Sequence, residues 1–216
     1  MSTLWTFGDS YTFGAGCRED APVYLPEGSS SEYYDKFKTE TDEIFPNILG
    51  KMLDMDVKNL GVSAVSNDYI IDLIIDNWFN FKKGDCVVVQ ITFHSRIDIP
   101  YNGKLETPYF YEDYPNNFPL YKAEEIETII NFQYHFCDNI LYKKRNTKRF
   151  NFLHKLLKEK KLMAYFWDVA DFARSSEFEK ISMATNGKIL DEHFSFNGHK
   201  HFADTAFKKI TNPNLI

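Results

Sequence analysis

Phe7-Gly8-Asp9-Ser10-Tyr11-Thr12-Phe13-Gly14 is the stretch on which the reading of this chain turns. Ahead of it, Thr3-Leu4-Trp5-Thr6-Phe7 is a short β-branched and aromatic run that predicts a buried strand. After Phe7 the strand period stops and glycine appears. A strand that ends in a Gly-Asp-Ser turn and enters a helix leaves Ser10 at the carboxyl edge of a sheet, where open α/β sheets bind ligands. Gly8 permits a tight turn, and Asp9 can accept hydrogen bonds that hold it. Backbone N–H groups near Ser10 would face outward at the helix start and could stabilise an anion. The plainer alternative is that Asp9-Ser10 is a helix cap and nothing more. The nucleophile elbow of α/β-hydrolases does not fit, because Thr12 stands where that motif needs glycine.

Working outward, 216 residues with 44% hydrophobic content suffice for one core, so a single domain over 1–216 is expected, with loop insertions near 17–42 and 97–121. No apolar run is long enough to span a membrane. Met1-Ser2-Thr3 leads into the first strand without a basic or an apolar leader region, so no signal peptide and a cytoplasmic location are expected. Cys17, Cys86 and Cys137 are odd in number and far apart, the pattern of free thiols in a reducing compartment. A net charge of -6 argues against a general nucleic-acid binder. The basic run from Lys143 to Lys161 reads as a solvated helix face rather than a binding patch.

Along the chain, strands and helical patterns alternate. Glu43 to Leu53 is helical in spacing, with Thr41 or Asp42 as its cap. Asp56 to Leu60 reads as a strand and runs into Gly61-Val62-Ser63-Ala64, a second strand-to-helix turn. A helix is expected over about 66–81. Cys86 to Ile91 is apolar on both faces, the mark of a central parallel strand, and exits into Thr92-Phe93-His94-Ser95-Arg96. Residues 100–119 are ring-rich and irregular, either a packed surface loop or a lid that shapes a substrate site. Helix is expected from Ala123 to Lys161 with a break near Asn146. Leu162 to Trp167 is a fourth strand ending at Asp168, Ser175 to Gly187 is poorly patterned, and Lys188-Ile189-Leu190 is a short fifth strand. A last helix follows, with Phe202, Ala203, Ala206 and Phe207 facing inward. These elements predict a three-layer α/β/α sandwich, flavodoxin-like, with about five parallel strands.

Ser10, Asp191 and His193 each fall just past a strand in this reading, so all three can meet on one sheet edge. A serine hydroxyl becomes a useful nucleophile only when a base takes its proton. His193 can do so near neutral pH, and a carboxylate on its other nitrogen would hold the tautomer. Asp191 with His193, His199 and His201 could instead be read as metal ligands. His199 and His201 diverge on a helix, however, and neither metal nor cofactor is expected.

Four stretches together resemble the SGNH (GDSL-type) hydrolases. Gly8 to Gly14 matches the first block, Gly-Asp-Ser-x-Thr-x-Gly. Asn59-Leu60-Gly61-Val62-Ser63-Ala64 is similar to the second, Val87 to Arg96 to the third, and Asp191 to His199 to the fifth. The resemblance implies Ser10 as nucleophile, His193 as base and Asp191 as its carboxylate. It also implies an oxyanion hole from the backbone N–H groups of Ser10 and a second-block residue, with a third-block Asn side chain. Three positions depart from the pattern. The second-block glycine falls on Ala64, which still offers an N–H, with Gly61 as substitute. The third-block Asn is replaced by His94, which could donate an N–H or be a buried, satisfied histidine. Arg96 beside it could neutralise an oxyanion or grip an acidic substrate. Asp and His are two apart where the family has three, which brings in Asp168 as a substitute for Asp191.

The function implied is a serine esterase acting through a seryl-acyl intermediate on a short-chain or carbohydrate O-acyl (O-acetyl) ester, with no nucleic-acid or membrane partner. The rivals are a thioesterase, lysophospholipase or acyltransferase on the same fold, or an inactive SGNH-like binding module.

Overall fold

The computed structural model describes residues 2–14, 41–101, 104–106, 124, 127–128, 131–132, 139–169, 182–185, 188–194 and 196–212. Its centre is β1 (Thr3–Gly8), whose residues from Leu4 on are all buried. The strand is apolar on both sides because helices cover both sides. Leu4 joins one cluster with Cys86, Val88, Phe45, Leu49, Phe202 and Ala206. Its neighbours Trp5 and Phe7 point the other way, into a cluster with Val87, Val89, Ile70, Ile74, Phe150 and Leu157. Alternate residues of a strand face opposite sides, so two clusters split by residue parity define two helix layers around one sheet.

One layer holds α2 (Phe45–Leu53) and α5 (Phe196–Thr211). The other holds α3 (Asn67–Asp76) and α4 (Asn139–Glu159). The sheet contains β1, β2 (Asp56–Gly61), β3 (Cys86–Ile91) and β6 (Met163–Asp168), all parallel, in the order β2-β1-β3-β6. That is the flavodoxin-like order, with its reversal beside the first strand. Asp85 fixes the amino-terminal edge: its carboxylate accepts from the Thr3 and Lys82 amides, both at 2.9 Å, and from the Trp5 indole at 3.1 Å. Burial acts to raise its pKa, but these hydrogen bonds outweigh burial and hold it below the usual value.

Several expectations shift. The fifth strand does not enter the parallel sheet. Lys188–Phe194 is β8, paired antiparallel with β7 (Ser182–Thr185) in a separate ribbon. Asn186-Gly187 stands between them in the sequence, and that dipeptide favours a two-residue hairpin, which cannot deliver a parallel strand. Asp191 and His193 therefore lie within β8 rather than beyond it. Helix α4 runs unbroken through Asn146, whose buried amide meets His94 across the layer boundary. Helix α2 starts later than its expected cap. Thr41–Glu43 is a 3-10 turn, and Ile44 at the N-cap makes no side-chain cap bond. Helix α3 ends earlier than expected, at Asp76, and its start is capped by Ser66, which accepts from the Tyr69 amide at 3.0 Å. From the ring-rich region only the antiparallel β4 (Ile99–Tyr101) and β5 (Lys104–Glu106) are described. The expected lid, and residues 17–40 of the long polar loop, lie outside the described residues. Of the basic run, Arg145 and Arg149 both pair with Asp68 of α3, and Lys160 donates to the Trp78 carbonyl at 2.6 Å.

Candidate functional site

Ser10 opens α1 (Ser10–Phe13), the single turn that follows β1. Asp9 caps this turn and accepts from the Tyr11 amide at 3.2 Å. Two crowded contacts explain the glycines around it. A Cβ on Gly8 would lie 2.2 Å from Thr12 Oγ1 and 2.6 Å from Gln90 Cβ, so only glycine lets the turn fold back onto β3. A Cβ on Gly61 would lie 2.4 Å from the Phe13 nitrogen, so α1 rests directly on the end of β2.

Polar side chains then fasten the turn to both neighbouring strands. Gln90 Oε1 accepts from Thr12 Oγ1 at 2.7 Å and from the Thr12 amide at 3.2 Å, while Gln90 Nε2 donates to Asp9. Asn59 Nδ2 donates to the Thr12 carbonyl at 2.9 Å. The Asp9 carboxylate, fully buried, also accepts from Thr92 Oγ1 and from Arg96 Nη1, the latter at 2.6 Å. Thr92 is held in turn by the Asn67 side chain, whose Nδ2 donates to the Thr92 carbonyl and whose Oδ1 accepts from the Thr92 amide, both at 2.9 Å.

His193 reaches this turn from β8. Its Nε2 lies 2.8 Å from Ser10 Oγ, joining residues 183 positions apart. The ring sits 5.0 Å from that of Tyr11, tilted by 40°. Next to it Phe194 is buried among Tyr11, Trp167 and Phe202, which anchors the strand. Ser10 itself is 7% exposed.

Two of the expected residues thus meet: Ser10 and His193. The side chain of Asp191 lies outside the described residues. Asp168, its substitute, stands at the end of β6 with Oδ2 3.2 Å from His94 Nε2, at ion-pair distance though outside hydrogen-bond geometry. On the other side of that ring, His94 Nδ1 lies 3.3 Å from Asn146 Nδ2. His94 thus lies between Asn146, a hydrogen-bond partner, and Asp168, an ion-pair neighbour, and is 9% exposed. Arg96, expected at the substrate, has Nη1 on Asp9 and Thr92 and is 8% exposed. The Gly61 amide is engaged by Asn59 Oδ1 at 3.0 Å. Ala64 adopts φ 63, the left-handed conformation that favours glycine, at the position where the second-block pattern has glycine.

His199 does not join His201 in any cluster. It is fully buried and accepts from the Phe45 amide through Nδ1 at 3.2 Å, whereas His201 is exposed. Burial, and secondarily the nearby His193, push its pKa down to about 3. Among the described residues no group of three or more His, Cys, Asp or Glu could hold a metal ion, and no helix is long and apolar enough to cross a membrane. Burial likewise pushes the Cys86 thiol up to about 12, which leaves it protonated.

The residues that sequence reasoning missed are Asn59, Asn67, Gln90 and Thr92. Gln90 carried a usable signal: an amide inside an otherwise apolar strand must find partners.

No protein-family model matches this chain, and no curated protein matches it. Solved structures do. A carbohydrate acetylesterase from Sinorhizobium meliloti aligns at 11% identity over 98% of this chain and 99% of that one, with a TM-score of 0.44. The aryl esterase of M. smegmatis aligns at 13% identity over the same shares, with a TM-score of 0.43. A member of the lipolytic protein G-D-S-L family from Veillonella parvula aligns at 15% identity over 98% and 100%, with a TM-score of 0.39. Likeness at this level describes those proteins and does not carry their substrates to this chain.

Proposed function

We propose that this chain is a serine esterase. The observation that carries the reading is the 2.8 Å contact between Ser10 Oγ and His193 Nε2 on a turn at the carboxyl edge of the sheet. With its proton on Nδ1, neutral His193 accepts the Ser10 proton as Oγ attacks the ester carbonyl. The imidazolium then gives that proton to the departing alkoxide, leaving an acyl-serine. Water, deprotonated by the same ring, releases the acid and restores Ser10. The backbone amides of Ser10 and Ala64 are assigned to the developing oxyanion, since Gly61 is already engaged. Asp191, two residues before His193 on β8, is assigned as its orienting carboxylate, a choice supported by the engagement of Asp168 with His94. The substrate proposed is a short-chain or carbohydrate O-acyl ester, for which the ring-rich segment 101–118 is the support.

The test is p-nitrophenyl acetate hydrolysis by Ser10→Ala, His193→Ala and the double variant. Each single change should lower kcat by on the order of a thousandfold or more, and the double should be hardly worse, because the pair acts as a unit. A folded Ser10→Ala protein with wild-type activity ends the reading. A chain-length series of esters and a panel of acetylated sugars then define the acyl group and its carrier.

A further inference from the structure

We infer that Arg96 is a positioning residue which, through Asp9, locks the Ser10 turn to the end of β3, and that it does not touch substrate. The inference rests on the esterase reading and adds to it how Ser10 is held.

The geometry is specific. Asp9 is the residue directly before Ser10 and the cap of its turn, so any shift of that carboxylate moves the nucleophile. The carboxylate is removed from water and joins its own turn to β3 and the segment after it: Oδ1 takes the Tyr11 amide and Gln90, and Oδ2 takes Thr92 and Arg96. One Arg96 nitrogen, Nη1, serves two partners, Asp9 at 2.6 Å and Thr92 Oγ1 at 2.9 Å, and so ties the cap to the first residue after β3. The guanidinium stands 5.2 Å over the Phe93 ring, and the Arg96 amide closes a turn on the Phe93 carbonyl at 3.2 Å. Both partners of the pair are buried, at 0% and 8% exposure, so each is the other's counter-ion away from water. A guanidinium that is 8% exposed and bonded to Asp9 and Thr92 is poorly placed to grip a substrate anion.

The experiment compares wild type, Arg96→Met, Arg96→Lys, Asp9→Asn and the double variant Asp9→Asn/Arg96→Met. Two readouts are used: the rate at which a fluorophosphonate labels Ser10, and kcat and KM on a neutral and an anionic ester of equal length. Circular dichroism and a thermal melt restrict the comparison to temperatures at which every variant is folded. Arg96→Met should slow labelling and lower kcat by on the order of a hundredfold, the usual penalty for a misplaced reacting group, with KM little changed. The factor should be the same for both esters. Arg96→Lys should fall in between, because an ammonium keeps the charge but not the planar group that lies over Phe93 and sets a donor between Asp9 and Thr92. The double variant should recover part of the loss of Arg96→Met, since it leaves no buried carboxylate unpaired.

A rise in KM confined to the anionic ester would place Arg96 on the substrate and overturn the inference. Equal labelling rates in folded wild type and Arg96→Met would overturn it too, while leaving the esterase reading intact. A wild-type protein whose Ser10 takes no label refutes the esterase reading itself.

Discussion

His94 shows how one residue's surroundings decide its role. Position alone makes it a candidate donor to the oxyanion, because it follows β3 where the resembled pattern has an amide side chain. Its ring nitrogens, however, face Asp168 and Asn146. His94→Ala should therefore register first in stability, by about 1–3 kcal/mol in urea unfolding, as the buried Asn146 amide loses its hydrogen-bond partner and the half-buried Asp168 its ion-pair neighbour. The accompanying fall in kcat should stay well under the roughly hundredfold typical of a lost oxyanion donor. A hundredfold loss of kcat at unchanged KM would return His94 to the oxyanion hole. Ser10 and His193 were legible because their chemistry needs few residue types in a short pattern. The partners of His94 were not, since Asn146 comes from a helix whose register against β3 depends on tertiary packing rather than on local sequence.

At the scale of elements, the start of α2 depends on another helix. Ile44 offers no side chain to cap it, and the first helical amide, Phe45, donates instead to His199 of α5. That acceptor must be neutral, and burial keeps it so, with a pKa near 3 against 6.5 in the unfolded chain. Between those values the unfolded state binds the extra proton, so this residue withdraws stability as pH falls below about 6.5. The loss approaches 1.4 kcal/mol per pH unit and levels off near pH 3. His199→Gln keeps an acceptor but cannot take up a proton. Its stability measured in urea at pH 4, 5 and 7 should fall less steeply with acid than that of wild type. Parallel slopes would show that His199 is not the group responsible. Elements with their own pattern were readable in advance: Cys86–Ile91 matches its observed bounds because a strand buried on both faces is apolar nearly throughout, Gln90 being the exception. The start of α2 was not, because its cap lies 154 residues away. The β7–β8 ribbon escaped for another reason: an Asn-Gly pair was present but lay in a stretch whose alternation is weak.

Across the whole molecule, parallel strands bring distant segments to one edge. The ends of β1, β2, β3 and β6 deliver Ser10, the Gly61–Ala64 turn, Thr92 to Arg96, and Asp168. The strands and the side chains at their ends hold all of these, yet the sheet does not carry His193. His193 rides on a ribbon outside that sheet, secured by the burial of Phe194. On the proposed function, the contact between Ser10 and His193 is expected to be lost before the sheet unfolds. A sub-global opening that frees the ribbon costs less than melting the sheet, so its amides should exchange with solvent sooner than those of β3 in native-state hydrogen exchange. Ester hydrolysis should likewise disappear at a lower urea concentration than the far-ultraviolet dichroism of the core. Coincident transitions would instead make ribbon and sheet one unit. If they are two, anything that grips the ribbon from outside, whether a partner, an osmolyte or a neighbouring copy, would set how often His193 meets Ser10, and so, on the proposed function, the rate of ester hydrolysis.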